Sequence, residues 1–303
     1  MDNSTHTPTG SIAFYDSAAL LATITLTSDS AQLTTATLTA GSHSIKVVYS
    51  GDSNFKSDSA TIAQVVNQSS PLVTLKSTPN PSIFGTSVTF TGHVNNSSHI
   101  PTGSISFYDG TVLLAIVPLT ADSAQTSPAN LTTGSHLIKA VYSGDSNFKS
   151  DSTTITQVVN KASPTVTLKS SQTPSTFEQS VTFTAHVDNI VQTPTGSVSF
   201  YDGTAFLGTQ PMTGDSAQLS TSNLTAGSHT IKAVYSGDGN FRSDSTTITQ
   251  VVNQTPPTVT LKSSLNPSAF EQNVTFTAIV LNSSVTPTGL ISFYDGATLL
   301  ANV

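Results

Sequence analysis

HLIKAVYSGDSNFKSD, running from His136 to Asp151, decides how the chain is read. It stands 93 residues after HSIKVVYSGDSNFKSD (His43–Asp58) and 93 before HTIKAVYSGDGNFRSD (His229–Asp244). A second marker keeps the same step: Pro-Thr-Gly opens at Pro8, Pro101, Pro194 and Pro287, each time leading into a Phe-Tyr-Asp strand end. Self-similarity at a fixed period means units of one kind laid end to end. A 93-residue unit is long enough to bury a core of its own, so 303 residues amount to about three domains' worth of chain.

Within the stretch, Ile138, Ala140 and Tyr142 alternate with Lys139 and Val141, which predicts a strand with the first three facing a core. Gly144-Asp-Ser-Asn147 turns the chain, Phe148 folds back over the end of the core, and Thr153–Val159 closes the unit. Working outward, Leu72–Lys76 is a short strand ended by Pro79-Asn-Pro81. Val88, Phe90 and Val94 give the period of a half-buried strand. Asn95–Gly103 reads as a polar loop. Ile105 and Phe107 point inward with Tyr108 outward, Asp109-Gly110 is a hairpin turn, and Val112–Leu119 returns. Ala124–Leu131, interrupted by Pro128, suits an edge. That is about seven strands with no helical period, the profile of an antiparallel β-sandwich. Boundaries fall at Gln68–Ser70, Lys161–Ser163 and Gln254–Pro256. Residues 70–162 and 163–255 read as complete units, 1–69 as later strands only and 256–303 as early strands only, so the chain begins and ends inside a unit. Linkers of about three residues, each followed by Pro, favour a semi-rigid rod.

Composition narrows function. Ten Lys and Arg scattered singly, against a net charge of −7, exclude the clustered basic charge that nucleic acid requires. No apolar run approaches a membrane span, and MDNSTHTPTG has neither the basic nor the apolar region of a signal peptide. Without Cys there is neither disulfide nor thiolate chemistry.

Gly134-Ser-His136-Leu-Ile138 resembles strand F of an immunoglobulin domain, with His136 at the corner-tyrosine position, Ile138 at the cysteine and Phe107 at the place of the strand C tryptophan. With the Pro-Thr-Gly and Tyr-Ser-Gly-Asp markers, the whole unit looks like the bacterial Ig-like repeats of large secreted and cell-surface proteins. The resemblance implies an all-β chain of tandem immunoglobulin-like sandwiches. It also implies an extracellular or cell-surface location and a non-enzymatic spacer or stalk supporting adhesion, with neighbouring repeats as its partners. A carbohydrate- or surface-binding array is the alternative, carried by Tyr15, Tyr108, Tyr201 and Tyr294 and directed at surface glycans or proteins. A head-to-tail fibre is another, in which a neighbour's Val274-Thr-Phe276 strand completes the first unit.

No catalytic, cofactor-binding or metal-ligating residue is assigned. His43, His136 and His229 lie a unit apart and read as structural. The Asp-x-Asn turns at Asp52, Asp145 and Asp238 offer too few oxygens for Ca²⁺ and read as Asx turns. Lys76, Lys169 and Lys262 fall on the outward phase, which speaks against isopeptide formation, and Glu178 and Glu271 have Gly85 as their counterpart. Sequons at Asn95, Asn130, Asn223 and Asn273 arise readily in a chain this rich in Asn, Ser and Thr.

Overall fold

A computed structural model describes residues 6–95, 99–129, 131–188, 191–281 and 287–303. Asn130, residues 96–98 of the Asn95–Gly103 loop and the first five residues lie outside the described residues. The chain falls into two compact units, 1–162 with 239–241, and 163–238 with 242–303.

The first unit contains β1 (Ser11–Asp16), β2 (Ala19–Thr25), β3 (Gly41–Tyr49), β4 (Asp58–Val66), β5 (Leu72–Thr78), β6 (Ser82–Ile83), β7 (Thr89–Asn95), β8 (Ser104–Asp109), β9 (Val112–Pro118), β10 (Ser123–Thr126), β11 (Gly134–Tyr142) and β12 (Asp151–Asn160). The order β10-β7-β5 makes one sheet and β6-β12-β11-β8-β9 the other. Between them lies one core of Val73, Val88, Phe90, Val94, Ile105, Phe107, Ala124, Ile138, Ala140, Tyr142 and Phe148. The alternation seen in the sequence accounts for it. Two-residue side-chain periodicity sends Ile138, Ala140 and Tyr142 to the face that Phe107 and Ile105 share. The β11–β8 register sets Ala140 opposite Phe107 and Tyr142 opposite Ile105. Ala beside Phe leaves room for the ring, a small-against-large match typical of close packing. Lys76 is exposed, as its phase requires, and β10 stands at a sheet edge.

The second unit repeats this with β13 (Thr165–Ser170), β14 (Ser175–Thr176), β15 (Val181–Asp188), β16 (Ser197–Asp202), β17 (Ala205–Pro211), β18 (Ser216–Thr221), β19 (Gly227–Tyr235) and β20 (Asp244–Asn253). Its sheets run β13-β15-β18 and β14-β20-β19-β16-β17. It also carries β21 (Thr258–Ser263) paired with β22 (Phe276–Leu281), and β23 (Ser292–Asp295) paired with β24 (Thr298–Asn302). In the first unit β2-β1-β3-β4 form a sheet on which no second sheet is packed among the described residues.

Two features differ from the sequence reading. Eight strands, not about seven, build each complete pair of sheets, because the chain after Pro81 makes a two-residue parallel pairing with β12, Ser82 to Val159 and Ile83 to Asn160. The sandwich is therefore antiparallel apart from this one short pair. Beneath it, Gln157 is fully buried. Its amide donates to the carbonyls of Pro79 (3.2 Å) and Val158 (2.9 Å) and to Ser82 Oγ (3.1 Å), while Ser77 Oγ donates to its Oε1. Buried polar groups persist where they are satisfied in this way. Gln250 repeats the arrangement with Gln172, Ser175, Val251 and Ser170. The Gly85/Glu178/Glu271 position is explained by its backbone: φ is +84°, +66° and +64°, a left-handed turn that Gly takes without strain.

Phe107→Ala opens a cavity under both sheets and is expected to destabilise the 70–162 sandwich by about 3–5 kcal/mol, with Tyr108→Ala costing far less. Hydrogen exchange of the β8 and β11 amides in the full chain measures both; equal losses would mean that the two side chains share one environment.

Candidate functional site

The two sequence markers meet. Asp145, in the turn after β11, accepts from the Thr102 backbone N–H (2.8 Å) and hydroxyl (3.0 Å) through Oδ2, and from the Asn147 (2.8 Å) and Phe148 (2.9 Å) N–H groups through Oδ1. The second pair makes the Asx turn expected of Asp-x-Asn. Tyr142 Oη donates to the Thr102 carbonyl at 2.7 Å, and Ser143 Oγ accepts from the Ser104 N–H at 3.1 Å. Gly103 closes the contact at φ +96°, where an added Cβ would meet Ser143 Oγ at 2.5 Å and the Gly144 carbonyl at 2.9 Å. Pro-Thr-Gly and Tyr-Ser-Gly-Asp are thus two halves of one clamp.

Burial alone would raise the Asp145 pKa, but the N–H donors of Thr102, Asn147 and Phe148 outweigh it and hold the carboxyl below its usual range. Burial pushes the Tyr142 hydroxyl well above its usual range, which keeps it a donor. Among the described residues, no group of three or more His, Asp or Glu is placed to hold a metal ion.

The clamp presents its turn to the residues that precede the sandwich. Ser69 N–H donates to the Asn147 carbonyl (3.0 Å) and Lys149 N–H to the Ser69 carbonyl (2.9 Å), a parallel bridge between linker and turn. Gln68 Nε2 reaches the Asp145 carbonyl at 2.8 Å. The Asn147 side chain accepts from the Ala40 N–H at 2.9 Å, across 107 residues of chain. The loop Gly239–Phe241, which belongs to the first compact unit, makes the corresponding contacts. Ala162 N–H donates to the Asn240 carbonyl (3.0 Å), Thr133 Oγ1 lies 2.8 Å from the Gly239 carbonyl, and Phe241 meets Phe84 edge-on at 5.7 Å. The Gly144–Phe148 turn is therefore a joint to the segment that precedes its sandwich.

The repeated histidines hold the receiving side of that joint. His136 Nδ1 lies 2.7 Å from Asp109 Oδ2, and Nε2 lies 2.8 Å from the Thr132 carbonyl. His43 bridges Asp16 and Thr39 in the same way, and His229 bridges Asp202 and Thr225. The residue after each of these threonines is Ala40, Thr133 or Ala226, and the first two take the next turn. Each imidazole thus ties a hairpin aspartate to a backbone carbonyl four residues before it. Sequence reading found His136 and Asp109 but not their pairing, which spans 27 residues, nor the outward reach of Asn147. A neutral imidazole donates through only one nitrogen, whereas both here face acceptors. Burial of the His136 ring opposes charge, yet the Thr132 carbonyl, the Asp109 hydrogen bond and the Asp109 charge together raise its pKa above 6.5.

Tyr108 and Tyr201, candidates for a glycan platform, are half-buried, and the Tyr201 ring packs edge-on against Phe206 at 5.6 Å. Tyr15 is half-buried as well, and Tyr294 is exposed.

Two outcomes follow from this geometry. Asp145→Ala strands the Thr102, Asn147 and Phe148 donors and is expected to cost about 1.5–3 kcal/mol, read by hydrogen exchange at β11 and β12. The histidine bridge is worth most where the ring is charged in both folded and unfolded chains. Its stabilisation is complete below the unfolded value of 6.5 and is lost as pH rises through the raised folded pKa. Stability followed from about pH 5.5 to 8.5 should fall with rising pH in the wild type, and this component should vanish in His136→Gln. A pH slope unchanged by that substitution would assign it to other groups.

The family model of the bacterial Ig-like domain, group 3, matches residues 1–67, 75–160 and 168–253. No curated protein matches the sequence. A crystal structure of a tetra-tandem repeat in the extending region of a large adhesion protein is similar over 92% of this chain and 82% of that one, at 14% identity and a TM-score of 0.44. The Yersinia pseudotuberculosis adhesin InvE is similar over 63% of this chain and 65% of that one, at 16% identity and a TM-score of 0.34. The fibronectin(III)-like modules of Clostridium thermocellum CbhA cover 60% of this chain and 95% of theirs, at 17% identity and a TM-score of 0.28. At these identities the likeness concerns fold alone.

Proposed function

Because the chain belongs to the bacterial Ig-like domain family, group 3, we propose that it serves as a non-enzymatic structural spacer in a secreted or cell-surface protein, supporting adhesion by holding another module at a distance. In this reading 70–162 and 163–255 are complete repeats, 1–69 carries later strands only and 256–303 early strands only. One observation carries it: the Gly144–Phe148 loop, whose sequence recurs in the other repeats, is spent on a joint. Asn147 is turned toward Ala40 and the Ser69 linker. A loop used to recognise a foreign ligand would present its polar groups to solvent and vary from copy to copy, whereas a joint needs the same groups each time. The partners of each repeat are then its neighbours.

The surface-glycan alternative relies on the outward tyrosines, and it is weakened by the packing of Tyr201 on Phe206. A glycan array with saturable binding lost in Tyr108→Ala would favour it over the spacer.

A spacer lengthens in proportion to its repeats. Inserting a second copy of residues 70–162 after Ala162 should increase the maximum dimension measured by small-angle scattering by roughly 33 Å, the length of a ten-residue strand such as β12. No increase, or a broad distribution of dimensions, would overturn the spacer reading.

A further inference from the structure

In the 70–162 sandwich the chain enters at one end and leaves at the other. Val73 N–H, near the start of β5, donates to Asp151 Oδ2 at the start of β12 (3.4 Å). Further along, Ser77 Oγ meets Gln157, and Ser82 pairs with Val159 near the end of β12. The segment from Pro71 to Phe84 and the strand that closes the unit therefore run side by side in one direction. The first is tied to the residues before the sandwich and the second to the residues after it. Opposite pulls on the two ends slide one along the other, and β7 to β11 are bypassed.

Strand pairing supplies little resistance to that slide, because β6 is two residues long and β5 belongs to the other sheet. Side chains supply the rest. Asn80 Nδ2 donates to the Thr156 carbonyl (2.7 Å), its Oδ1 accepts from the Val158 N–H (3.1 Å), and Phe84 N–H donates to the Asn160 carbonyl (2.8 Å). Gln157 adds its bonds to Pro79, Ser82 and Ser77. The second sandwich keeps the set with different residues. Ser170 Oγ donates to Gln250 Oε1 (2.6 Å), the Gln250 amide to the Gln172 carbonyl (3.0 Å), Val251 N–H to Thr173 Oγ1 (3.3 Å) and Phe177 N–H to the Asn253 carbonyl (2.8 Å). Pro79 has become Gln172 and Asn80 has become Thr173, yet the same backbone groups are engaged.

We propose that this glutamine-centred set of bonds is a load-bearing latch, which carries tension along the chain from the entering segment directly to the closing strand and leaves the hydrophobic core unloaded. The inference rests on the spacer reading, since load reaches a sandwich only when both its ends are tethered. Bonds between segments that slide in parallel are strained together, whereas bonds pulled from one end open one at a time. Gln157 and Gln250 are fully buried, so water does not replace a bond broken there, and the amide and its partners stay unpaired until the segments part. A slide of about one residue, roughly 3.3 Å, is enough to break the set. Phe107 and Ile138, on β8 and β11, are still packed at that point. Interactions lost before the barrier set the unfolding rate, and those kept across it do not.

Forced unfolding reads that rate. With the full chain tethered through its two termini and held at constant force, 70–162 and 163–255 should each give a step of roughly 300 Å, the contour of about 90 residues less the folded length. In Gln157→Leu one of the two steps is expected to shorten its lifetime at least about tenfold, while the other, held by Gln250, keeps the wild-type value as an internal reference. Asn80→Ala, an exposed position that leaves the buried amide in place, should shorten the same step about three- to tenfold and serves alone should Gln157→Leu not fold. The core substitution Ile138→Val, which loses a similar amount of unforced stability by hydrogen exchange, should change the lifetime about twofold or less. Lifetimes shortened no more by Gln157→Leu or Asn80→Ala than by Ile138→Val overturn the latch. The scattering dimension of a chain with an inserted repeat does not depend on the latch, so that result would leave the spacer reading standing.

Discussion

One carboxylate organises each repeat. Asp145 takes four donors, two from Thr102 and one each from Asn147 and Phe148, so the chain after β11 must turn where it does and the chain before β8 must lie beside it. Charged acceptors make the stronger hydrogen bonds. Everything at the joint depends on this. The Asn147 carbonyl and side chain reach Ser69 and Ala40 only because Asp145 has fixed the φ/ψ of the residues between. The clamp does not need a covering sheet: Asp52 makes the same set with Thr9, Asn54 and Phe55 where, among the described residues, no second sheet is packed on the first.

Burial behaves in the opposite way. The alternation on β3 is the alternation on β11, with Ile45 for Ile138 and Tyr49 for Tyr142, yet only the β11 residues are fully buried. A strand's sequence determines which side chains share a face. Whether that face is dry depends on a second sheet, and for residues 70–162 that sheet is β10-β7-β5. The Asx turn is thus written within the four residues Asp145–Phe148 and its clamp needs only Thr102 besides, while core formation requires strands from across a whole repeat.

That division explains what could be read from the sequence. Period-2 patterns located Ile105, Phe107, Ile138, Ala140 and Tyr142 in the core, and the Asp-x-Asn spacing located the Asx turn. Three features were hidden because their partners are remote. The β6 pairing joins Ser82 to Val159, far apart in sequence. Gln157 looks like a surface residue until Pro79, Ser82 and Ser77 are brought around it, and the available hint was its inward phase between Ile155 and Val159. The joint was hidden because Asn147 serves its own turn through its backbone N–H and the preceding segment through its side chain. One residue with two roles leaves a single sequence signal.

The joint and the core also differ in the kind of force that holds them. The joint at Ser69 rests on hydrogen bonds from Ser69, Lys149, Gln68 and Ala40, each worth about 0.5–1.5 kcal/mol net and each replaceable by water. The core rests on eleven buried side chains that share one desolvated cluster, where a single large truncation costs about 3–5 kcal/mol. The two therefore respond differently to substitution: loss of one bond at the Ser69 joint is a small change, loss of one large core side chain a large one. The histidine bridge lies at that weaker place. His43 fixes the Thr39 carbonyl one residue before Ala40, so the imidazole's charge bears on the backbone that receives Asn147. The imidazole thus lies beside the receiving backbone, whereas the core around Phe107 carries no titratable group other than Tyr142.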